Sequence, residues 1–219
     1  MSTAKTAKTT TRQKILFLAQ FSILLAIEAI VCFTPLGSLP IGPLVATLSH
    51  VPVILTAILL GPWAGSLMGF FFGLFSFLVW TFTPPSPMAF VFTPFYNLGE
   101  FQGSAWSLVV CFVPRILIGL AAGGIFALLT KTKRKTELEP LAASLGGVLG
   151  SLVNTFLVLG GIWLFFGRDF AAFSEFPYEE IRTVLGGVVL SNGMLEAIIG
   201  GFLAAAVAVP VKRIVFRKG

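Results

Sequence analysis

Five side chains able to hold charge or a directional hydrogen bond stand inside otherwise apolar stretches of this chain: Glu28, Arg115, Asn154, Asn192 and Glu196. His50, the only histidine, lies near the start of another such stretch. A guanidinium pairs bidentately with a carboxylate, and asparagine amides bond hydroxyl and amide groups. Asn192 and Glu196 are four residues apart, one turn along a single helical face. Ionisable groups in apolar surroundings are expensive, and they face either a cavity or one another. Two arrangements follow. The groups line a pocket for a polar solute, or Arg115 pairs with Glu196 or Glu28 and fixes helix packing.

Bond-breaking chemistry finds little here. One histidine and two separated cysteines, Cys32 and Cys111, do not make a metal cluster by themselves. No Ser-His-Asp arrangement, nucleophile elbow or Gly-rich phosphate loop with its Lys-Ser/Thr stands out. No catalytic residue, metal or cofactor is therefore assigned, and any use of ATP requires a partner to hydrolyse it.

The elements that must position these groups are membrane helices. The chain is 56% hydrophobic and only 11% charged, with 23 Phe and 23 Gly, a balance foreign to soluble domains. Residues 47–78 contain no Lys, Arg, Asp or Glu, and Gly61-Pro62 splits them into two apolar halves. Gly suits a helix C-cap and Pro a first helical turn, so the pair predicts a hairpin with almost no loop. Gly65, Gly69 and Gly73 repeat every four residues and predict one face for close helix contact. Around this hairpin, spans are expected at about 15–33, 44–60, 63–82, 106–129, 141–166 and 184–209. The first is too long for a signal-peptide core and is read as a retained helix. Polar residues 1–12 form a tail, 13–211 one membrane domain, and 212–219 a basic tail. The two cysteines read as small membrane hydrophobes rather than a disulfide.

Charge then orients the bundle. Lys5, Lys8, Arg12 and Lys14 precede the first span; Lys131, Lys133, Arg134 and Lys135 join the fourth and fifth; Lys212, Arg213, Arg217 and Lys218 end the chain. With six spans these twelve share one side, while the other holds Arg168 and Arg182 beside five acids. The expected fold is an all-α polytopic membrane protein of six transmembrane helices with both termini cytoplasmic. The net charge of +6 thus reports topology and attraction to the lipid bilayer, not nucleic-acid binding. Trp80, Trp106 and Trp163 read as anchors at outer span ends and Trp63 at an inner one. Glu28, Arg115 and Asn192 then lie on the order of 10–14 Å below the outer surface, which predicts a pocket open to the outside.

The segments His50-Val-Pro-Val-Ile, Ile58-Leu-Leu-Gly-Pro-Trp-Ala-Gly, Gly69-Phe-Phe-Phe-Gly-Leu and Val113-Pro-Arg-Ile-Leu-Ile-Gly resemble the substrate-binding S components of energy-coupling factor (ECF) transporters. The resemblance runs from about residue 15 to 209 and is nearest the pantothenate type. It implies a six-helix importer that captures a vitamin from outside, near helices four to six. It also implies a membrane T component and two ATP-binding-cassette ATPases as partners. Arg115 would pair with a carboxylate, with Asn154, Asn192, Glu196 and His50 beside it and Tyr96, Asn97 and Trp106 closing the pocket from the outer loop. Glu28 and Glu196 would repel an anion unless neutralised, so a neutral or cationic precursor stays open. The family's Ala-x-x-x-Ala docking motif has its match in Ser22-Ile-Leu-Leu-Ala26, with Ala19 and Ala29 on the same face; Ser in first place departs from the pattern. The competing function is a stand-alone proton-coupled carrier working through Glu28 or Glu196. No clear inverted repeat between residues 1–105 and 106–219 favours it.

Overall fold

A computed structural model describes residues 2–41, 44–131 and 135–216. The first helix, α1 (Ser2–Phe33), begins well before the apolar segment. The tail expected over residues 1–12 is helical from Ser2 on, since it contains no Gly or Pro and alternates Ala and Lys with Thr. Helix α3 (Pro62–Phe82) follows α2 (Val51–Leu60) with Gly61 as the entire connection. Gly61 sits at φ +102, a backbone that only glycine adopts cheaply, and its N–H closes α2 on the Ala57 carbonyl at 3.1 Å. Helices α4 (Ala105–Leu129) and α5 (Lys135–Phe173) complete the central layer, α4 packing against both α3 and α5.

The segment expected to be the second span, about 44–60, is different. Only Val51–Leu60 is helical, ten residues and so about 15 Å, half of a hydrocarbon core. The residues before it form a hairpin of β1 (Ser38–Ile41) and β2 (Leu44–Thr47), with Ser38 opposite Thr47 and Ile41 opposite Leu44. Pro40 disfavours a helix there, while Leu, Val and Ile accept the extended backbone. Five helical stretches among the described residues are long and apolar enough to cross a membrane: Thr11–Phe33, Pro62–Phe82, Ala105–Leu129, Glu137–Phe173 and Tyr178–Ile214.

The last of these is not a uniform helix. Its α-helical pieces, α6 (Ile181–Val188), α7 (Met194–Leu203) and α8 (Val209–Val211), are joined by π-turns at Val189–Gly193 and Ala204–Ala208. A π-turn is wider than an α-turn, and such turns commonly occur at functional sites. A second small hairpin, β3 (Asn97–Leu98) with β4 (Phe101–Gln102), and a 3-10 turn at Pro87–Val91 cap the same end of the bundle as β1–β2. That turn is fixed to α4, whose Ser107 hydroxyl donates to the Phe90 carbonyl at 2.7 Å.

The glycines of α3 meet α4 directly. A Cβ on Gly69 would lie 2.1 Å from the Arg115 carbonyl oxygen, and one on Gly119 would lie 2.1 Å from the Gly65 carbonyl carbon. Close backbone approach between membrane helices gains dispersion where no hydrophobic driving force separates lipid from side chain. At the opposite end from the hairpins, Lys212 and Arg213 meet Glu139 at 3.3 and 3.7 Å, and Lys212 lies over the Phe126 ring. Lys133, Arg134, Arg217 and Lys218, counted in the charge asymmetry, lie outside the described residues, as does Pro43. Large apolar side chains such as Ile23, Leu190, Ile198 and Phe202 are each more than 60% exposed, as a lipid-facing surface requires.

Gly69→Ala is expected to force α3 and α4 apart and lower stability by about 1–3 kcal/mol, as overpacking does. Thermal unfolding in detergent checks this; an unchanged transition would contradict the close contact.

Candidate binding site

A cavity of about 310 Å³ lies in the half of the bundle that carries the hairpins. Phe72, Ser76 and Trp80 of α3 line one wall at four-residue spacing. Asn154, Thr155, Val158 and Leu159 of α5 line another. Val188, Asn192 and Glu196 line the third. Asn192 lies within the wider turn at Val189–Gly193, with Val188 just before it and Glu196 just after. Thr47, Ser49 and His50, from the end of β2 to the start of α2, close one side, and Pro85 and Phe92 from the long connection close another.

Arg115 projects into this space from α4 and is only 6% exposed. Its Nη1 donates to the Val110 carbonyl at 2.7 Å. The guanidinium lies over two rings, 5.5 Å from the Phe72 centroid and 5.4 Å from that of Phe92. Nε, also buried, has no hydrogen-bond partner among the described residues. No carboxylate stands within ion-pair distance of Arg115 among those residues, so the internal pair with Glu196 or Glu28 does not form. Glu196 is committed elsewhere. Its Oε1 accepts the Thr47 N–H at 3.0 Å and also the Thr47 hydroxyl, tying the end of β2 to α7. Glu28 is fully buried in α1, where Cys32 Sγ donates to Oε1 at 3.2 Å and Oε2 has no partner among the described residues.

The remaining polar groups divide between fixed and open. The His50 ring reaches Ser151 Oγ through Nε2 at 2.8 Å, and that hydroxyl donates to the Gly147 carbonyl at 2.9 Å. Asn154 Oδ1 is buried without a partner among the described residues. A buried acceptor left unmade costs about 1–3 kcal/mol, and an ion several kcal/mol. Two ring faces contribute on the order of 2 kcal/mol each at best to a desolvated guanidinium. The unfilled demand in this cavity is thus for an anion at Arg115 and a hydrogen-bond donor at Asn154.

Arg115, Asn154, Asn192, Glu196 and His50 come together in the cavity from four parts of the chain. Tyr96, Asn97 and Trp106 do not line it. Tyr96 joins an aromatic cluster around Phe90 and Phe166, Asn97 is exposed in β3, and Trp106 stacks on Phe165 at 4.3 Å. The connection folds onto the end of α5 through these rings, and only Pro85 and Phe92 of it reach the cavity. Trp80, read as an interfacial anchor, instead lines the cavity and stacks on Phe92 at 4.7 Å. Thr47, Phe72 and Cys32 are further lining residues that the sequence reading missed. The four-residue spacing of Phe72, Ser76 and Trp80 is the one signal that marks them. Both cysteines are free.

The family model for the ECF transporter substrate-specific component matches residues 16–211. The chain is 34% identical over 166 residues to the pantothenic acid transporter PanT of Lactococcus lactis subsp. cremoris, covering 75% of this chain and 76% of that one. It is 29% identical over 177 residues to the pantothenate transporter PanT of Leuconostoc mesenteroides subsp. mesenteroides, covering 78% and 79%. Among solved structures, ThiT from Listeria monocytogenes shares the fold with a TM-score of 0.56 over 89% of this chain and 96% of that one, at 18% identity. With the family pattern extending across the bundle from α1 to α8, the chain belongs to the substrate-specific (S) components of ECF transporters, multi-pass membrane proteins of vitamin uptake.

Proposed function

We propose that this S component captures pantothenate from the outside, with the carboxylate on Arg115 and the hydroxyl and amide groups toward Asn154, Asn192 and Glu196. The observation that carries the reading is a buried guanidinium, held against two rings, with no carboxylate within ion-pair distance among the described residues. Pantothenate combines an anionic end with hydroxyl and amide groups, which matches a lining that lacks an anion at one point and a donor at another. Glu196, an objection to any anionic cargo, is engaged by the Thr47 N–H and hydroxyl rather than by Arg115. The names of the two PanT relatives favour the same cargo.

The orientation follows from charge. Arg12 and Lys14 lead into the apolar part of α1, and Lys131, Lys212 and Arg213 lie at the corresponding end of the other helices. Both termini are then cytoplasmic and the cavity opens outward. Six crossings result, the second made jointly by the β1–β2 hairpin and the short α2. A T component docks on α1, and two ATP-binding-cassette ATPases drive release inward. Ser22, Ala26 and Ala19 are exposed and Ala29 half-buried, on the span with only 11% of its apolar window buried. Small residues on such a face let a partner helix come close.

Mass spectrometry of small molecules released from the denatured protein is expected to recover pantothenate. Calorimetric titration is expected to show binding weakened at least about 100-fold in Arg115→Ala, the loss typical of removing one partner of a buried charge pair. Recovery of a different vitamin, or wild-type affinity in the variant, would overturn the assignment. Ala26→Leu is expected to retain pantothenate binding and lose ATP-driven uptake in vesicles containing all subunits. Unimpaired uptake would place the T component on another face.

A further inference from the structure

Pro114 stands inside α4, directly before Arg115. Proline has no N–H, so the carbonyl four residues earlier loses its helical partner. That carbonyl belongs to Val110, and it is the group that receives Arg115 Nη1 at 2.7 Å. Val110 is 1% exposed and Pro114 is buried, so bulk water does not supply the missing donor. The Arg115 side chain leans toward the N-terminus of its helix, as helical side chains do, which brings it over this vacant acceptor.

We infer that Pro114 is a positioning residue for substrate capture: by withholding a backbone donor it reserves the Val110 carbonyl as an anchor for the Arg115 guanidinium. The anchor fixes one N–H of a long, flexible side chain and leaves the rest of the guanidinium edge for a ligand. It also sets the guanidinium against Phe72 and Phe92 before the ligand arrives, so less side-chain entropy is lost on binding. The backbone at this point cannot shift freely to offer another anchor, because the Arg115 carbonyl lies against Gly69 of α3. Restoring an N–H at position 114 gives Val110 its helical partner back, and the guanidinium loses its tether.

This inference rests on the reading that Arg115 receives the carboxylate, and the test separates the two. Pantothenate and its alcohol analogue, which carries CH2OH in place of the carboxylate, are titrated into wild type, Pro114→Ala, Arg115→Ala and the double variant. Pro114→Ala is expected to weaken pantothenate about ten-fold, the scale of one charge-assisted hydrogen bond, and to change the alcohol less than about two-fold. The double variant is expected to bind no more weakly than Arg115→Ala alone. Pro114→Gly, which restores the same N–H, is expected to behave like Pro114→Ala. Spectra of 15N-arginine-labelled protein are expected to show slow guanidinium rotation at Arg115 in wild type and averaging in Pro114→Ala. Wild-type affinity in both Pro114 variants, or equal loss of the acid and the alcohol, would overturn the positioning role and leave the Arg115 reading standing. Wild-type affinity in Arg115→Ala would overturn both.

Discussion

A guanidinium buried among membrane helices, with no carboxylate at ion-pair distance among the described residues, is the constraint on which this structure turns. Removing such an ion from water costs several kcal/mol even after relaxation. The protein offsets part of that with two aromatic faces and one backbone carbonyl, and commits the nearby Glu196 to Thr47 instead. An internal ion pair would have been the simpler way to stabilise the bundle. Keeping Arg115 apart from Glu196 leaves a site whose unmet demand is an anion, which is what a capture protein for an anionic vitamin needs.

The architecture serves that separation. Glycines on α3 bring it against the backbone of α4 at Arg115, which fixes the depth of the charge and places Phe72 beside it. The replacement of a full second span by a strand hairpin and a short helix puts Thr47 where it can hold Glu196 and puts His50 against Ser151 of α5. The wide turn at Val189–Gly193 contains Asn192 and precedes Glu196, and both line the cavity. The hairpin and the wide turn depart from a regular helix bundle, and residues of both line the cavity.

Much of this was legible in the sequence because the membrane limits the choices. Gly61-Pro62 and the glycine ladder read correctly, since helix ends and close contacts use few residue types. Arg115, Asn154, Asn192 and Glu196 stood out for the same reason: they are too expensive to face lipid, and all line one cavity. The β1–β2 hairpin was hidden because an apolar run of Leu, Val and Ala suits either helix or strand, and only the Pro-Gly-Pro interruptions argue otherwise. Tyr96, Asn97 and Trp106 were misplaced because the long connection before α4, rich in Phe, folds by ring packing, which has no sequence period to read. Trp80 was misread for the same reason that makes tryptophan a good anchor: its ring suits both an interface and a cavity wall.

The most direct measurement is a crystal structure of the protein with pantothenate bound. The expected result places the carboxylate oxygens within hydrogen-bonding distance of Arg115, with Glu196 still held by Thr47. A carboxylate bound elsewhere in the cavity, or an Arg115 turned onto Glu196, would contradict the central claim that this unpaired guanidinium is the anchor for the cargo.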